Sequence, residues 1–280
     1  MSTPAPTSSI SAEEADFDRR FGGIARLYGA SALACFRQAH VCVIGVGGVG
    51  SWVVEALARS AIGQLTMVDL DNLAESNVNR QLHALTATLG MAKVTALAQR
   101  IQQINPYCRV TEIEDFITPD NLAEMLKLND PNTHYDYVID AIDNVRAKTA
   151  LIAYCREHKI RLITIGSAGG QVDPTQISVR DLAKTEQEPL LKKVRKLLRS
   201  EHRFPRGDKT KFGIDAVFST EPLQHPVQEK TCALVEPDVE ETTGVTGLNC
   251  AGYGSAVVVT ASFGLVAAAH VLRQLAADVA

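Results

Sequence analysis

Two cations, two amides and a carboxylate are spaced so that they could act together on a phosphoanhydride. In VDLDNLAESNVNRQLHAL, Arg80 and Gln81 follow Asn77 by three and four residues, which puts all three on one face of a helical turn. Lys93, in GMAKV, opens the next helical pattern twelve residues beyond Gln81. In DAIDN, Asp143 ends an apolar run, where a carboxylate could hold Mg²⁺ against phosphate oxygens. Cleaving an α-phosphoanhydride builds negative charge on the phosphates in the transition state, and cations and amide donors stabilise it there. Any one of these residues alone is more often structural, and an aspartate at a strand end is usually a cap.

A nucleotide has to be held for such chemistry, and VCVIGVGGVGSWVVEAL supplies the holder. Of its glycines, Gly45 permits a tight turn, Gly47 and Gly48 let the backbone approach phosphate, and Gly50 allows a helix to pack closely. That helix offers its first N–H groups to an anion. Asp69 ends the following strand about 20 residues later, where a carboxylate holds a ribose hydroxyl, and Asp71 stands beside it. Up to this point a nicotinamide dehydrogenase would fit equally well. The cluster of Asn77, Arg80, Gln81 and Lys93 is what a dehydrogenase does not need, and the Gly-x-x-x-x-Gly-Lys-Ser/Thr loop of P-loop enzymes is missing.

The elements that must position these residues alternate along the chain. Strand-like runs are His40–Gly45, Leu65–Asp69, Arg109–Phe116, Tyr137–Ala141 and Leu162–Gly166. Helical patterns are Ser51–Ser60, Ala92–Ile104, Asn121–Leu128 and Val145–Glu157. The alternation predicts an α/β fold, a doubly wound, Rossmann-like, mostly parallel sheet covered by helices. Residues 1–18 read as a flexible tail and residues 19–280 as one domain. Within it, residues 19–166 form a nucleotide-binding half and 167–280 a substrate-binding and dimerisation half. In the second half, Ser167–Asn249 reads as decoration without a core of its own, Gly207–Gln224 as irregular with short strands, and an apolar helix closes the chain.

Composition narrows the class further. At 280 residues with 46% apolar and 21% charged side chains, the chain is an ordinary globular protein. Its start lacks the basic and apolar regions of a signal peptide. The apolar stretch Ala256–Ala269 is shorter than the roughly 20 residues a membrane span needs, so no stable span is expected. Cytoplasmic residence follows, with peripheral association at a membrane left open. The six cysteines include no Cys-x-x-Cys pair, so no zinc site is expected.

Although the net charge is −4, residues 184–211 carry ten Lys or Arg against four acids. Lys192, Lys193, Arg195, Lys196 and Arg199 fall mostly on one side of a helix, with Val194, Leu197 and Leu198 opposite, and Arg203 and Arg206 follow. One reading is a solvated amphipathic face. The other is a patch for a polyanion such as tRNA, where each neutralised phosphate adds affinity through counterion release.

GVGGVG, VDLDNLAESNVNRQ, GMAKV and DAIDN, in that order, resemble the ubiquitin-activating-enzyme-like adenylating superfamily, from about Arg20 to Ala280. RFGGIARLYG, VFSTE and GYGSAVVVTASFG most resemble its tRNA-modifying dehydratases. The resemblance implies ATP and Mg²⁺ as cofactors, Asp69 on ribose, Asn77, Arg80 and Lys93 on phosphates, and Asp143 on the metal. It also implies a homodimer with two ATP sites and an arginine reaching across it. Sulfur-carrier relatives use an Arg-Tyr-x-Arg-Gln arm; here Arg20-Phe21-Gly22-Gly23-Ile24 lacks the second arginine, leaving Arg20 or Arg26 as the candidate. The implied reaction is adenylation of a threonyl carboxylate on a tRNA nucleoside, followed by ring closure. Cys232, in EKTCALVE, stands where relatives capture an acyl group on a thiolate, which keeps activation of a ubiquitin-like or sulfur-carrier protein open. A non-enzymatic nucleotide-binding module, or a sulfur relay with a protein partner, is a third reading. Cys250, beside the final helix, reads as packing.

Overall fold

Side-chain alternation along β1 (His40–Ile44) builds two cores, one on each face of a sheet. Val41 and Val43 point into one, Cys42 and Ile44 into the other, as the two-residue period of a strand requires. The computed structural model describes residues 16–126, 133–207, 209–224 and 253–280. Six further strands join β1: β2 (Gln64–Val68), β3 (Arg109–Ile113), β4 (Tyr137–Asp140), β5 (Leu162–Ile165), β6 (Ile177–Asp181) and β7 (Asp215–Ser219). Their order is β3-β2-β1-β4-β5-β7-β6, parallel throughout except between β6 and β7. The chain winds outward from β1 through β2 to β3, then restarts on the other side with β4. That reversal between β1 and β4 opens a crevice at the carboxyl ends of the strands.

Two helices that the sequence reading missed precede β1. Asp16 accepts a hydrogen bond from the Arg19 backbone and starts α1 (Phe17–Tyr28) within the stretch read as a tail. Gly29, at φ 94°, separates it from α2 (Ala30–Gln38). The first core is completed by α3 (Gly50–Arg59), α4 (Lys93–Ile104) and the last helix. The second holds the short α5 (Leu122–Met125), α6 (Val145–Glu157) and α7 (Pro189–Glu201). Fully buried Phe36, Phe218 and Phe263 each contribute about 1.5–3 kcal/mol by leaving water.

Two expectations change. The short strand expected within Gly207–Gln224 is β7, and with β6 it extends the central sheet, so the segment read as decoration supplies two of the seven strands. The final helix, α8, runs over Val257–Ala277, 21 residues, and by length and composition could cross a membrane. Val259, Phe263, Ala267 and Val271 are nevertheless buried in the first core. In this fold α8 is a core helix.

Candidate active site

The glycine turn after β1 faces a cavity of about 770 Å³ at the crevice between β1 and β4. Gly45 has φ 82°, and a Cβ there would lie 2.9 Å from the Ala141 carbonyl oxygen. Only glycine fits. A Cβ on Gly50 would come within 1.8 Å of the Gly45 carbonyl oxygen, so Gly50 closes the turn against α3. It does not line the cavity, whereas Gly45, Gly47 and Gly48 do. The turn is also tied to the next strand, because Val46 N–H donates to Asp69 Oδ2 at 2.8 Å. The other Asp69 oxygen accepts from the Asp71 backbone at 3.0 Å. Oδ1 also lies 3.5 Å from the Lys93 ammonium, so Oδ2 is the oxygen that keeps a free lone pair.

Asn77, Arg80, Gln81, Lys93 and Asp143 all line the same cavity. Arg80 and Gln81 both donate backbone N–H groups to the Asn77 carbonyl, which makes the tight turn the spacing predicted. Asn77 Oδ1 accepts from Ala74 N–H at 3.0 Å, which closes the turn just before it. The Arg80 stem passes over Gly48, where a Cβ would meet Cγ at 3.3 Å, and its guanidinium donates to the Ser76 carbonyl at 2.6 Å. Gln81 is buried beside Gly47 with Oε1 unpartnered among the described residues. Lys93 holds its ammonium 2.6 Å from Asp71 and 3.5 Å from Asp69. The cavity is thus walled by amides and cations, with acids that hold the lysine. Asp143 is half-buried, and no hydrogen bond or ion pair among the described residues engages its carboxylate.

Sequence reasoning missed what holds Asp143 in place. Asp140, the first aspartate of DAIDN, is fully buried with Lys148, whose ammonium lies 2.9 Å from Oδ2. Thr164 donates to that same oxygen at 2.7 Å. Oδ1 accepts from Ile142 N–H at 3.0 Å, so the pair fixes the loop that carries Asp143. The signal was a lone lysine within the apolar pattern VRAKTALIAYC. Glu188 was missed too. It caps α7 by accepting from Leu190 N–H at 3.3 Å and from Leu191 N–H, and it accepts from Ser167 N–H at 3.0 Å. Burial pushes its carboxyl up, while these amide donors and Lys148 pull it down. Ser167 and Leu190 line the nucleotide cavity, so Glu188 joins the start of α7 to the site.

Other candidates lie elsewhere. Arg20 donates to the Gln103 and Ile104 carbonyls, at 3.1 and 2.8 Å, at the end of α4 and away from this cavity. Arg26 is exposed on α1. On α7, Lys192, Lys193 and Lys196 are exposed, as are Arg203 and Arg206 beyond it. Arg195 and Arg199 are only half-exposed: Arg195 donates to the Thr185 hydroxyl and Arg199 stacks 5.2 Å from the Phe212 ring centre. The basic face is therefore narrower than the spacing predicted. Cys232 and Cys250 lie outside the described residues. Of the described thiols, Cys42 is pushed up by burial, as are Cys108 and Cys155, both to about 12, which leaves them inert.

A glycine turn at the switch point of a doubly wound sheet, facing cations, amides and a free carboxylate, defines an adenylating type of nucleotide site. Residues 21–278 match the ThiF family, and the chain belongs to it. It is 52% identical over 263 residues to the tRNA threonylcarbamoyladenosine dehydratase of Escherichia coli, covering 94% of this chain and 95% of that one. The Haemophilus influenzae enzyme of that name is 52% identical over 261 residues, covering 93% and 94%. The crystal structure of the E. coli enzyme in complex with ATP superposes with a TM-score of 0.81 at 49% identity, covering 96% of this chain and 97% of that one.

Proposed function

We propose that the protein uses ATP to dehydrate N6-threonylcarbamoyladenosine in tRNA. The observation that carries this reading is the convergence of Arg80, Gln81, Lys93 and Asp143 on the glycine turn, in a chain alike over 94% of its length to a dehydratase of that substrate. In the first step a threonyl carboxylate oxygen attacks the α-phosphorus, and the bond to the β-phosphate oxygen breaks. Pyrophosphate leaves and an acyl-adenylate remains. Arg80 and Lys93 sit where charge accumulates on the phosphates, and the N–H groups of the turn and of α3 add to them. The carbamoyl nitrogen then attacks the activated carbonyl, closing the ring. AMP leaves with one carboxylate oxygen and the nitrogen gives up its proton, for a net loss of water.

Mg²⁺ fits this site on the chemistry of its donors, because Asp143 offers a hard, unpartnered carboxylate on the cavity wall. Bound there, the ion neutralises phosphate charge. The tRNA backbone is met by Lys192, Lys193, Lys196, Arg203 and Arg206, on and after the helix that Glu188 fastens to the cavity. A second copy of the chain is the further partner, and a sulfur-relay protein would have to act through Cys232. A tRNA substrate places the protein in the cytoplasm.

Incubation with ATP and tRNA bearing the threonylcarbamoyl nucleoside should release pyrophosphate and AMP and convert that nucleoside to a product lighter by one water. Pyrophosphate release with a carrier protein, and none with this tRNA, would reject the reading.

A further inference from the structure

One wall of the nucleotide cavity belongs to none of the nucleotide motifs: Gly166, Ser167, Ala168 and Gly169, after β5, with Leu190 of α7. Along the carboxyl ends of the strands the order is β2-β1-β4-β5, so Asp69, the glycine turn, Asp143 and this loop follow one another across the crevice. The first three have tasks on the nucleotide. The loop is the wall left for the group that ATP activates.

Glu188 holds this loop, and the length of its side chain is the sign. Helices are usually capped by Ser, Thr, Asp or Asn, whose short side chains reach the second or third helical N–H. Pro189 opens α7 without an N–H, and Glu188 accepts from the next two, Leu190 and Leu191. An aspartate would do as much. The extra methylene lets Oε1 accept also from Ser167 N–H at 3.0 Å, across 21 residues of chain. Room for it is made at Gly166, where a Cβ would lie 3.0 Å from Cγ and Cδ of Glu188 and press the carboxylate out of place. Burying a carboxylate is unfavourable unless it is paired, and Glu188 is 3% exposed. Burial pushes its carboxyl up, and the three amide donors and Lys148 offset part of that. The same lysine pairs with Asp140 at 2.9 Å, so one buried cation supports both the loop of Asp143 after β4 and that of Ser167 after β5. Beyond Gly169 the chain is fixed separately, as Glu221 accepts from Val172 and Asp173 N–H at 3.1 and 3.0 Å.

On the reading that tRNA is the substrate, we propose that Glu188 is a positioning residue: it sets the 166–169 wall to receive the threonylcarbamoyl nucleoside and, by opening α7, makes that wall one unit with the lysines that meet the tRNA backbone. Docking on Lys192, Lys193 and Lys196 then delivers the nucleoside to a wall at a fixed distance from them. Glu188 itself touches no reacting atom.

The test separates the cap from the reach. Glu188→Asp keeps an acceptor for Leu190 and Leu191 and withdraws it from Ser167, whereas Glu188→Ala removes both. With ATP and tRNA bearing the threonylcarbamoyl nucleoside, Glu188→Asp should lower kcat roughly 10–100-fold, the scale of a misplaced substrate wall. Its melting temperature and its affinities for ATP and tRNA should stay those of the parent, while Glu188→Ala loses turnover and melts lower. A residue that only caps the helix would be rescued by aspartate in turnover as well as in melting. The proposal is overturned if Glu188→Asp turns over as the parent does, or if its turnover and melting temperature fall together. Should that variant not fold, Gly166→Ala, which displaces the same carboxylate from the side of the loop, decides: lost turnover with parent-like tRNA affinity supports the proposal, and parent-like turnover overturns it. A parent protein that releases no pyrophosphate with this tRNA rejects the function and the inference with it, whereas an active parent beside an unimpaired aspartate variant rejects the inference alone.

Discussion

Asp140 and Asp143, three residues apart in DAIDN, have different tasks. Asp140 is sealed against Lys148 and Thr164, so removing either member of that buried pair leaves a charge without its partner, a change that typically costs about 3–5 kcal/mol. Asp143 faces the cavity with no partner among the described residues. Asp143→Ala should therefore lower kcat by about 10²–10³-fold, the scale of one lost electrostatic stabiliser, with stability changed by no more than about 0.5 kcal/mol. Pyrophosphate release and a thermal melt would check both halves; unchanged turnover would remove Asp143 from the mechanism. His83 predicts a pH effect. Its native pKa of about 4 lies below the ordinary 6.5, so its contribution is complete above pH 6.5 and is lost as pH falls toward 4. The loss is at most about 3 kcal/mol. Melting temperature should fall on acidification through this window, and His83→Leu should flatten the fall. An equal decline in the variant would place the titrating group elsewhere.

At the scale of elements, β1, β2, β4 and β5 were legible because parallel strands buried on both faces are nearly continuous apolar runs, whereas β3, mostly exposed at the sheet edge, was legible from its β-branched alternation. Their ends moved by no more than three residues. β6 was harder, since its edge position leaves it half-exposed and its alternation weak. The opening helices were hidden by Gly22 and Gly23 in α1, which lower helical propensity, while burial of Phe21 and the Asp16 cap offset them. For α7, spacing gave the basic face but not the side contacts that draw Arg195 and Arg199 inward. A triple charge reversal, Lys192→Glu with Lys193→Glu and Lys196→Glu, should weaken tRNA binding broadly and flatten its salt dependence by about one unit for each phosphate no longer neutralised. ATP affinity should hold. Equal reversal of Arg195 and Arg199 should instead loosen the packing of α7 on Thr185 and Phe212 and lower the melting temperature. Parent-like tRNA affinity and salt slope in the triple variant would mean that α7 is only a solvated face.

For the whole molecule, the site was the more legible part of the sequence. Its chemistry lies in short motifs whose residues meet at one switch point, whereas Glu188 acts on Ser167 across a long stretch of chain that no spacing reveals, and the Asp140–Lys148 pair left only a lone lysine in an apolar pattern as its sign. Assembly is likewise a property of surfaces. One face of α8 is buried in the core, and the opposite face exposes Val258 and Leu265, at 55% and 47%, with Ala269 one turn further on. These recur at helical spacing, and Leu27 on α1 is 75% exposed. An apolar stripe of this kind is stabilised by burial against a partner, at about 25 cal/mol per Å² removed from water. A two-fold dimer would place the stripe against its own copy, since such an interface presents the same patch from both subunits. Sedimentation should show a dimer for the parent protein and a monomer with unchanged circular dichroism for Val258→Glu with Leu265→Glu. Both positions are exposed in the single chain, so the substitutions spare the core. A dimeric variant would move the interface off α8, and a parent protein that sediments as a fully active monomer would remove the second copy from the reaction altogether.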